Sequence, residues 1–587
     1  MKNIRKMKKL INNDFSPILM ELFHKIEENN LDLMIDDIPA YNAKAQFIAG
    51  MVINSCSYTA INLIKSNESL KQLAKMIRMV SHMEMKTWGI LNGLRGIYRL
   101  NQNNLLQELI DEETYALLKE VLDWRTFVDD NNHYALINKP TNYYGVAFGI
   151  ARYRELLGWE PEHHSHHLLE RFIEHIDQFS GELGYMDETP GEGRFDRYTI
   201  VTPGEVAALL LATGIEVPQK IRSMLRKSCE IALQFANEDG HGFPYGRSSG
   251  AYGDTGILEV FSSAAELGGI LSTEELEIAY AYSVKIMKKI SNFWYDKETG
   301  AVNLWDKGRK SDHYRNKNRI LSETISIIMH VIDSYEHWKK AGFEDHAVCV
   351  NYSDMLEQLN PHTYVCFNDG TYKRGIAIIR DGKEIWTLPI VNGGKQYYYK
   401  DAYLHIPFQT NVLEYVPECC HGTLIPQIIM ENGDRHMPLV YTSQINPKIE
   451  EERMKIVCEY EGLCCMNDDT PNKLENSKAI TTYVFEKNRI HREDRIMLDT
   501  SKHCVKEVKL VFLTFSKDPL IDNNDVIFSD GTIKSMQVNG FENCKIYEAT
   551  DDGSYDTSHG RLNYNIEWST KAINSSKEMC FDWTLTY

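Results

Sequence analysis

No run in this sequence approaches the roughly 20 apolar residues that a membrane-crossing helix requires, so no helical membrane span is expected. Positive charge is also scarce: 64 Lys and Arg stand against 83 Asp and Glu, for a net charge of -19. A nucleic-acid binder carries a basic footprint, and none dominates here. The same deficit repels an acidic polymer, which would need a locally positive cleft to bind. The 12 cysteines, among them the adjacent pairs Cys419-Cys420 and Cys464-Cys465, have neither the spacing of a disulfide framework nor paired CxxC zinc spacing. The basic start MKNIRKMKKLINNDF is not followed by an apolar segment of about 7–15 residues. Together these features predict a protein of a reducing, cytoplasmic compartment.

What is present is an ordinary globular composition, 43% hydrophobic and 25% charged over 587 residues, enough for two to four domains. Aromatics reach 11%, with 32 Tyr and 9 Trp. Such rings can lie against sugar faces and offer hydroxyls to sugar oxygens.

From about residue 15 to 345 apolar residues recur at helical spacing, as in AQFIAGMVINSCSYTAINLI and NLLQELIDEETYALLKEVLDWRTFV. Thr202-Pro203-Gly204-Glu205 reads as an N-cap, a first-turn proline and a capping Glu, with the helix ending at Gly214. Ser272 to Glu275 is a second capping box. Between the helices lie long Gly- and aromatic-rich loops, the pattern of an α/α toroid whose loops meet at one end. After about residue 360 the periodicity changes to β. Asp381-Gly382, Asn432-Gly433, Asp530-Gly531 and Asn539-Gly540 mark tight turns. The expectation is an α+β multidomain chain: an N-terminal α/α toroid (incomplete barrel) over 1–350 and a large antiparallel β-sandwich over 360–587.

An all-helical toroid followed by a large antiparallel sandwich resembles the heparinase II/III-like and chondroitin-lyase-like polysaccharide lyases. That resemblance implies β-elimination on uronic-acid glycans. It implies an Asn, sometimes with His, Arg or a protonated Glu, to neutralise the uronate carboxylate, and Tyr and His to move protons. The chemistry requires these groups, because the C5 proton is too weakly acidic to leave without charge stabilisation and a base. The chain departs from the heparinase-like pattern in lacking evident spaced histidines in its β half.

Three loops of the helical half supply candidates. Asn142, in NKPTNYYGVAFG, stands just before a helix, where a plain N-cap is the competing role. In GEGRFDRYTIVTPGE, Tyr198 is the candidate base, with Arg194 and Arg197 nearby to favour a phenolate. In the Gly-rich NEDGHGFPYGRSSGAYGDTG, His241, Tyr245, Arg247 and Tyr252 are candidate substrate contacts, as is Trp305 further on. The β half adds KQYYYKDAYLHIPF. Tyr398 is a binding candidate there, and His405, with His421 second, is the histidine that the resemblance places over the cleft.

The implied partner is an acidic oligosaccharide or polysaccharide, with homo-oligomer formation open. No cofactor is expected. No metal is expected either: His163, His164, His166 and His167 open an exposed helix without a carboxylate spaced to complete a site. The basic run from Gly308 to Arg319 is either a solvated loop or a steering patch. The main alternative is a glycoside hydrolase on the same scaffold, using a carboxylate pair drawn from Asp187, Glu188, Glu192 and Asp254.

Overall fold

A computed structural model describes residues 6–312, 314–393, 401–417, 421–468, 470–499, 502–571 and 578–587. Six inner helices form a ring: α1 (Ile48–Tyr58), α2 (Thr87–Gln102), α3 (Tyr143–Leu156), α4 (Tyr198–Ala212), α5 (Ala251–Leu267) and α6 (Ile320–Lys340). Each packs on the next, and α6 packs back on α1. Outer helices, such as His163–Ser180, Gln219–Gln234 and Thr273–Lys289, return the chain between them. The inner helices therefore all run in one direction, with their N-termini at one end of the toroid.

Small residues set the ring's tightness. A Cβ at Gly50 of α1 would lie 1.7 Å from the Gly89 carbonyl oxygen of α2. One at Gly96 would lie 2.7 Å from the Ile53 carbonyl oxygen, so only glycine permits this approach.

The Ser272 box caps its helix as expected, with Ser272 and Glu275 bonding reciprocally. The Thr202 cap is corrected. Helix α4 begins five residues before Pro203, at Tyr198, and carries Pro203 inside it. Asp196 Oδ1 accepts the Tyr198 backbone N–H at 2.8 Å, satisfying one of the free donors of the helix start. Thr202 is buried within the helix, its Oγ1 without a hydrogen-bond partner among the described residues. This earlier start brings Tyr198 onto the first turn.

The pattern turns from helix to strand between Glu357 and His362. A three-stranded sheet comes first, β1 (His362–Asn368), β2 (Arg374–Asp381) and β3 (Glu384–Ile390). It docks on the loop end of the toroid: Arg374 Nε donates to the Gly193 carbonyl at 2.8 Å and Arg380 Nη1 to the Gln234 carbonyl at 2.7 Å. Two antiparallel sheets of seven and eight strands follow. Strand Ser477–Glu486 alternates between buried and more exposed residues, as one face of a sandwich requires. Asp381-Gly382, Asn432-Gly433 and Asp530-Gly531 turn hairpins. Asn539-Gly540 instead carries the chain from the eight-stranded to the seven-stranded sheet.

Candidate active site

The loops that enter α3, α4 and α5 meet around one guanidinium. Arg247 lies in the Gly-rich loop before α5, and its Nε donates to Asp196 Oδ2 at 3.0 Å. Its Nη2 reaches Glu188 Oε2 and, at 3.4 Å, Asn142 Oδ1. Asn142, Glu188 and Asp196 are all at most 1% exposed. From the β half, the Tyr403 hydroxyl donates to Asp196 Oδ2 at 3.0 Å and accepts the Arg247 backbone N–H at 3.3 Å. Both halves thus build this cluster.

Two of its polar atoms are left over. Asn142 occupies the N-cap position of α3 yet makes no capping bond. Its Nδ2 is buried without a hydrogen-bond partner among the described residues, and so is Glu188 Oε1. An unsatisfied buried polar atom costs about 1–3 kcal/mol. Two within one cluster therefore call for an explanation. Burial pushes the Glu188 carboxyl up to about 7, against the pull of Arg247.

Tyr198 sits beside this cluster. The Arg247 and Arg197 guanidinium carbons lie 4.1 and 4.3 Å from its ring centroid, and Arg197 Nε donates to the Arg247 carbonyl at 3.1 Å. Tyr198 and Arg197 also form part of the wall of a cavity of about 560 Å³ that runs along the toroid axis. Arg315, Arg319, Tyr252 and Trp88 line the same end. Arg315 holds Glu323 at 2.7 Å and lies 4.1 Å over the Tyr252 ring, while Tyr252 donates to Glu323. Part of the basic run thus turns inward: Arg315 and Arg319 are buried and paired with Glu323.

Other expected residues stand elsewhere. Arg194 is buried, and its backbone shapes the 187–194 loop by bonding Asp187 and Glu188. Tyr245 is fully buried and away from the cavity wall. Trp305 donates its Nε1–H to the Arg315 carbonyl at 3.3 Å, behind the wall. His241 belongs to a separate cluster with Lys289, Asp254, His559 and Glu414. Burial, then Lys289 and His559, hold its ring far below the usual histidine range. Tyr398 lies outside the described residues.

His405 is not on the cavity wall. It is enclosed in the β half, 1% exposed, with Nδ1 on the Tyr460 hydroxyl at 2.8 Å and Nε2 on Asn392 Oδ1. Burial, then Arg374 and Arg492, push its pKa well below the usual range, so it stays neutral. His421 stacks on Tyr555 at 5.2 Å, also off the cavity.

The four carboxylates of the hydrolase alternative do not face each other across the cavity. Asp187 accepts bonds from Thr189, Gly193 and Arg194 and organises its loop. Asp254 is bonded by Gly242, Lys289 and Trp294. Glu192 is exposed, and Glu188 is held by Arg247. No cluster of three or more potential metal ligands occurs among the described residues. No helix among them is long and apolar enough to cross a membrane.

Sequence reasoning took Glu188 only as a hydrolase carboxylate and Arg315 and Arg319 only as part of the basic run, and it missed Glu323 and Trp88. The Arg319–Glu323 spacing of four residues at the start of α6 was the available signal.

No protein-family model matches the chain, and no curated protein matches it in sequence. Solved structures do match in fold. A point mutant of the chondroitin AC lyase of Streptomyces coelicolor A3 superposes with a TM-score of 0.56, at 10% identity, over 98% of this chain and 79% of that one. The same enzyme in complex with chondroitin sulphate gives 0.54 over the same shares, also at 10% identity. A mutant of the heparan sulfate lyase HepC of Pedobacter heparinus matches over 99% of this chain and 90% of that one at 10% identity, with a TM-score of 0.30, too loose an overlay to compare positions. The resemblance expected from the sequence holds at the level of the fold, a helical toroid followed by antiparallel sheets.

Proposed function

We propose that the protein is a lyase that cleaves uronic-acid glycans by β-elimination at the Arg247–Tyr198 cluster. The observation that carries this is the pair of orphaned buried atoms, Asn142 Nδ2 and Glu188 Oε1, beside Arg247 and next to Tyr198. A uronate carboxylate has two oxygens that need donors. The Asn142 amide and the protonated Glu188 carboxyl are two neutral donors, and Arg247 adds positive charge. Donors fixed before the reaction stabilise the charge that develops as the C5 proton leaves.

Tyr198 is the proton carrier of this reading. Its hydroxyl makes no hydrogen bond among the described residues and its ring is in the cavity wall. The phenolate takes the C5 proton, and the same hydroxyl returns it to the leaving glycosidic oxygen. Both ring nitrogens of His405 are engaged inside the β half, so this reading assigns both proton transfers to Tyr198.

The anionic ligand is attracted locally despite the net charge of -19. The N-termini of the inner helices converge on this end, each carrying about half a positive charge, and Arg197, Arg247, Arg315 and Arg319 add to it. The ten described cysteines are all free thiols, which suits a reducing, cytoplasmic setting and imported oligosaccharides.

The test is a screen of uronate-containing glycans for product with the ultraviolet absorbance of a conjugated double bond. Tyr198→Phe keeps the ring between its arginines but removes the transferable proton. Turnover should fall by at least about 10²–10⁴, the range for a lost acid–base group, with oligosaccharide binding retained. Reducing ends released without ultraviolet absorbance would favour hydrolysis and end this reading.

A further inference from the structure

The axial cavity extends well beyond the Tyr198 cluster. Glu205 follows Tyr198 by seven residues on α4, two turns or about 10 Å deeper along the axis, and it lines the cavity. On the next two helices stand Glu259 of α5 and His330 of α6, in contact through the histidine Nδ1. Deeper still, Tyr153, Arg95 and Asp333 continue the wall, and the far end reaches the exposed residues Asn62, Gln102, Asn103 and Lys340. The lining mixes polar and aromatic groups with aliphatic ones such as Met51, Leu91, Leu209 and Met329, and the volume is that of a small-ligand site.

The Glu205 carboxyl is half-buried and makes no hydrogen bond among the described residues. Burial, then the neighbouring Glu259 charge, hold its pKa well above the carboxylate range. Both influences favour the protonated form, which has an O–H to donate. Burial opposes ionisation of Glu259 too, but His330 outweighs it and draws that carboxyl below its ordinary value.

We propose that the axial cavity receives one end of a short uronate oligosaccharide, so that the protein degrades its substrate from a chain end, with Glu205 donating a hydrogen bond to a sugar oxygen inside the ring. The inference deepens the lyase reading and rests on it. The reason is topological. Six helices surround the cavity, so a glycan can occupy it only by entering end-on, from either side. An internal stretch of a polymer cannot be laid into a closed ring. The reacting bond, at Tyr198, then lies a fixed and small number of sugars from the terminus.

The test uses the full chain with polymeric chondroitin, hyaluronan and heparosan and with a hexasaccharide of each. For the polymer that is turned over, small unsaturated fragments should appear from the first turnovers while viscosity holds. A fall in viscosity before small fragments appear would overturn the proposal and leave the lyase reading intact. Ala208 of α4 lines the cavity. Ala208→Leu and Ala208→Trp should weaken hexasaccharide binding in calorimetry progressively, with the unfolding temperature nearly constant. The Leu variant covers the case in which Trp disturbs folding, and unchanged binding in Ala208→Leu overturns the idea. Glu205→Ala should weaken binding by about tenfold, the scale of a hydrogen bond in a buried site, whereas Glu205→Gln, which keeps a donor, should not. If no glycan gives ultraviolet-absorbing product yet Ala208→Leu still weakens hexasaccharide binding, end-on binding stands and the lyase chemistry falls. If none of the three hexasaccharides binds, both fall.

Discussion

Two polar clusters lie where the toroid meets the β half, and they differ in what they leave unsatisfied. Around Arg247, Asn142 Nδ2 and Glu188 Oε1 are buried with no partner among the described residues. Around Lys289 the polar atoms are engaged. Asp254 bonds Gly242 and Trp294 as well as Lys289, at 2.7, 2.7 and 2.9 Å. His559 takes Lys289 on Nε2 at 3.2 Å and Glu414 on Nδ1 at 2.7 Å, and Ser558 completes Glu414. His241 joins through Lys289 at 2.8 Å and Asn411 at 3.3 Å. A complete network stabilises and orients the pieces it joins. An incomplete one beside a cavity holds donors in reserve for a ligand. Composition alone does not separate the two clusters, since both mix basic residues, carboxylates and aromatic rings.

The comparison can be broken at either cluster. The largest effect on stability belongs to Lys289→Met. It strips a buried cation from Asp254, and such losses cost about 3–5 kcal/mol. Denaturant unfolding should show this while kcat on the turned-over glycan stays within about threefold. A collapse of kcat in folded protein would make Lys289 part of the reaction after all.

Asn142→Ala should behave in the opposite way. Turnover should drop by about 10²–10³, the loss for one oxyanion donor. Stability should barely change, because the amide caps nothing. A loss of about 1 kcal/mol with full rate would identify a cap instead.

The smallest and most specific effect is a pH profile. Burial raises the Glu188 carboxyl from its ordinary 4.5 to about 7. The group is therefore protonated, and able to donate, below about pH 7, and it ionises above. Turnover should decline as pH rises through about 7, and Glu188→Gln should remove that step. The same sign applies to folding: stability contributed by the neutral carboxyl is full below 4.5 and is lost as pH rises toward 7. A wild-type profile flat across this window would detach Glu188 from the reaction.

Much of the architecture was legible because it is local. Ser272 and Glu275 cap a helix by atoms three residues apart, and Asp381-Gly382 turns a hairpin by its own backbone preference. Thr202-Pro203 misled because the local rule met a competitor. Asp196 bonds the Tyr198 N–H and so starts the helix five residues before Pro203, and the buried ring of helices holds Pro203 in the interior of α4. His405 misled for a related reason. A histidine among tyrosines reads the same whether its segment faces a cleft or a core, and only packing against Tyr460 and Asn392 placed it inside.

The sequence by itself determined the class of the main elements, the change from helical to β periodicity and the segments in which Asn142 and Arg247 stand. These follow from spacing and capping between residues a few positions apart. Only the tertiary structure decided that Asn142, Glu188 and Arg247 form one group across separations of 59 and 105 residues. It alone decided which atoms there go unpaired, and that Arg315 and Arg319 turn inward. Closing a ring of helices and docking a sheet on its end are long-range events, so the satisfaction of a buried atom depends on partners that no local pattern specifies.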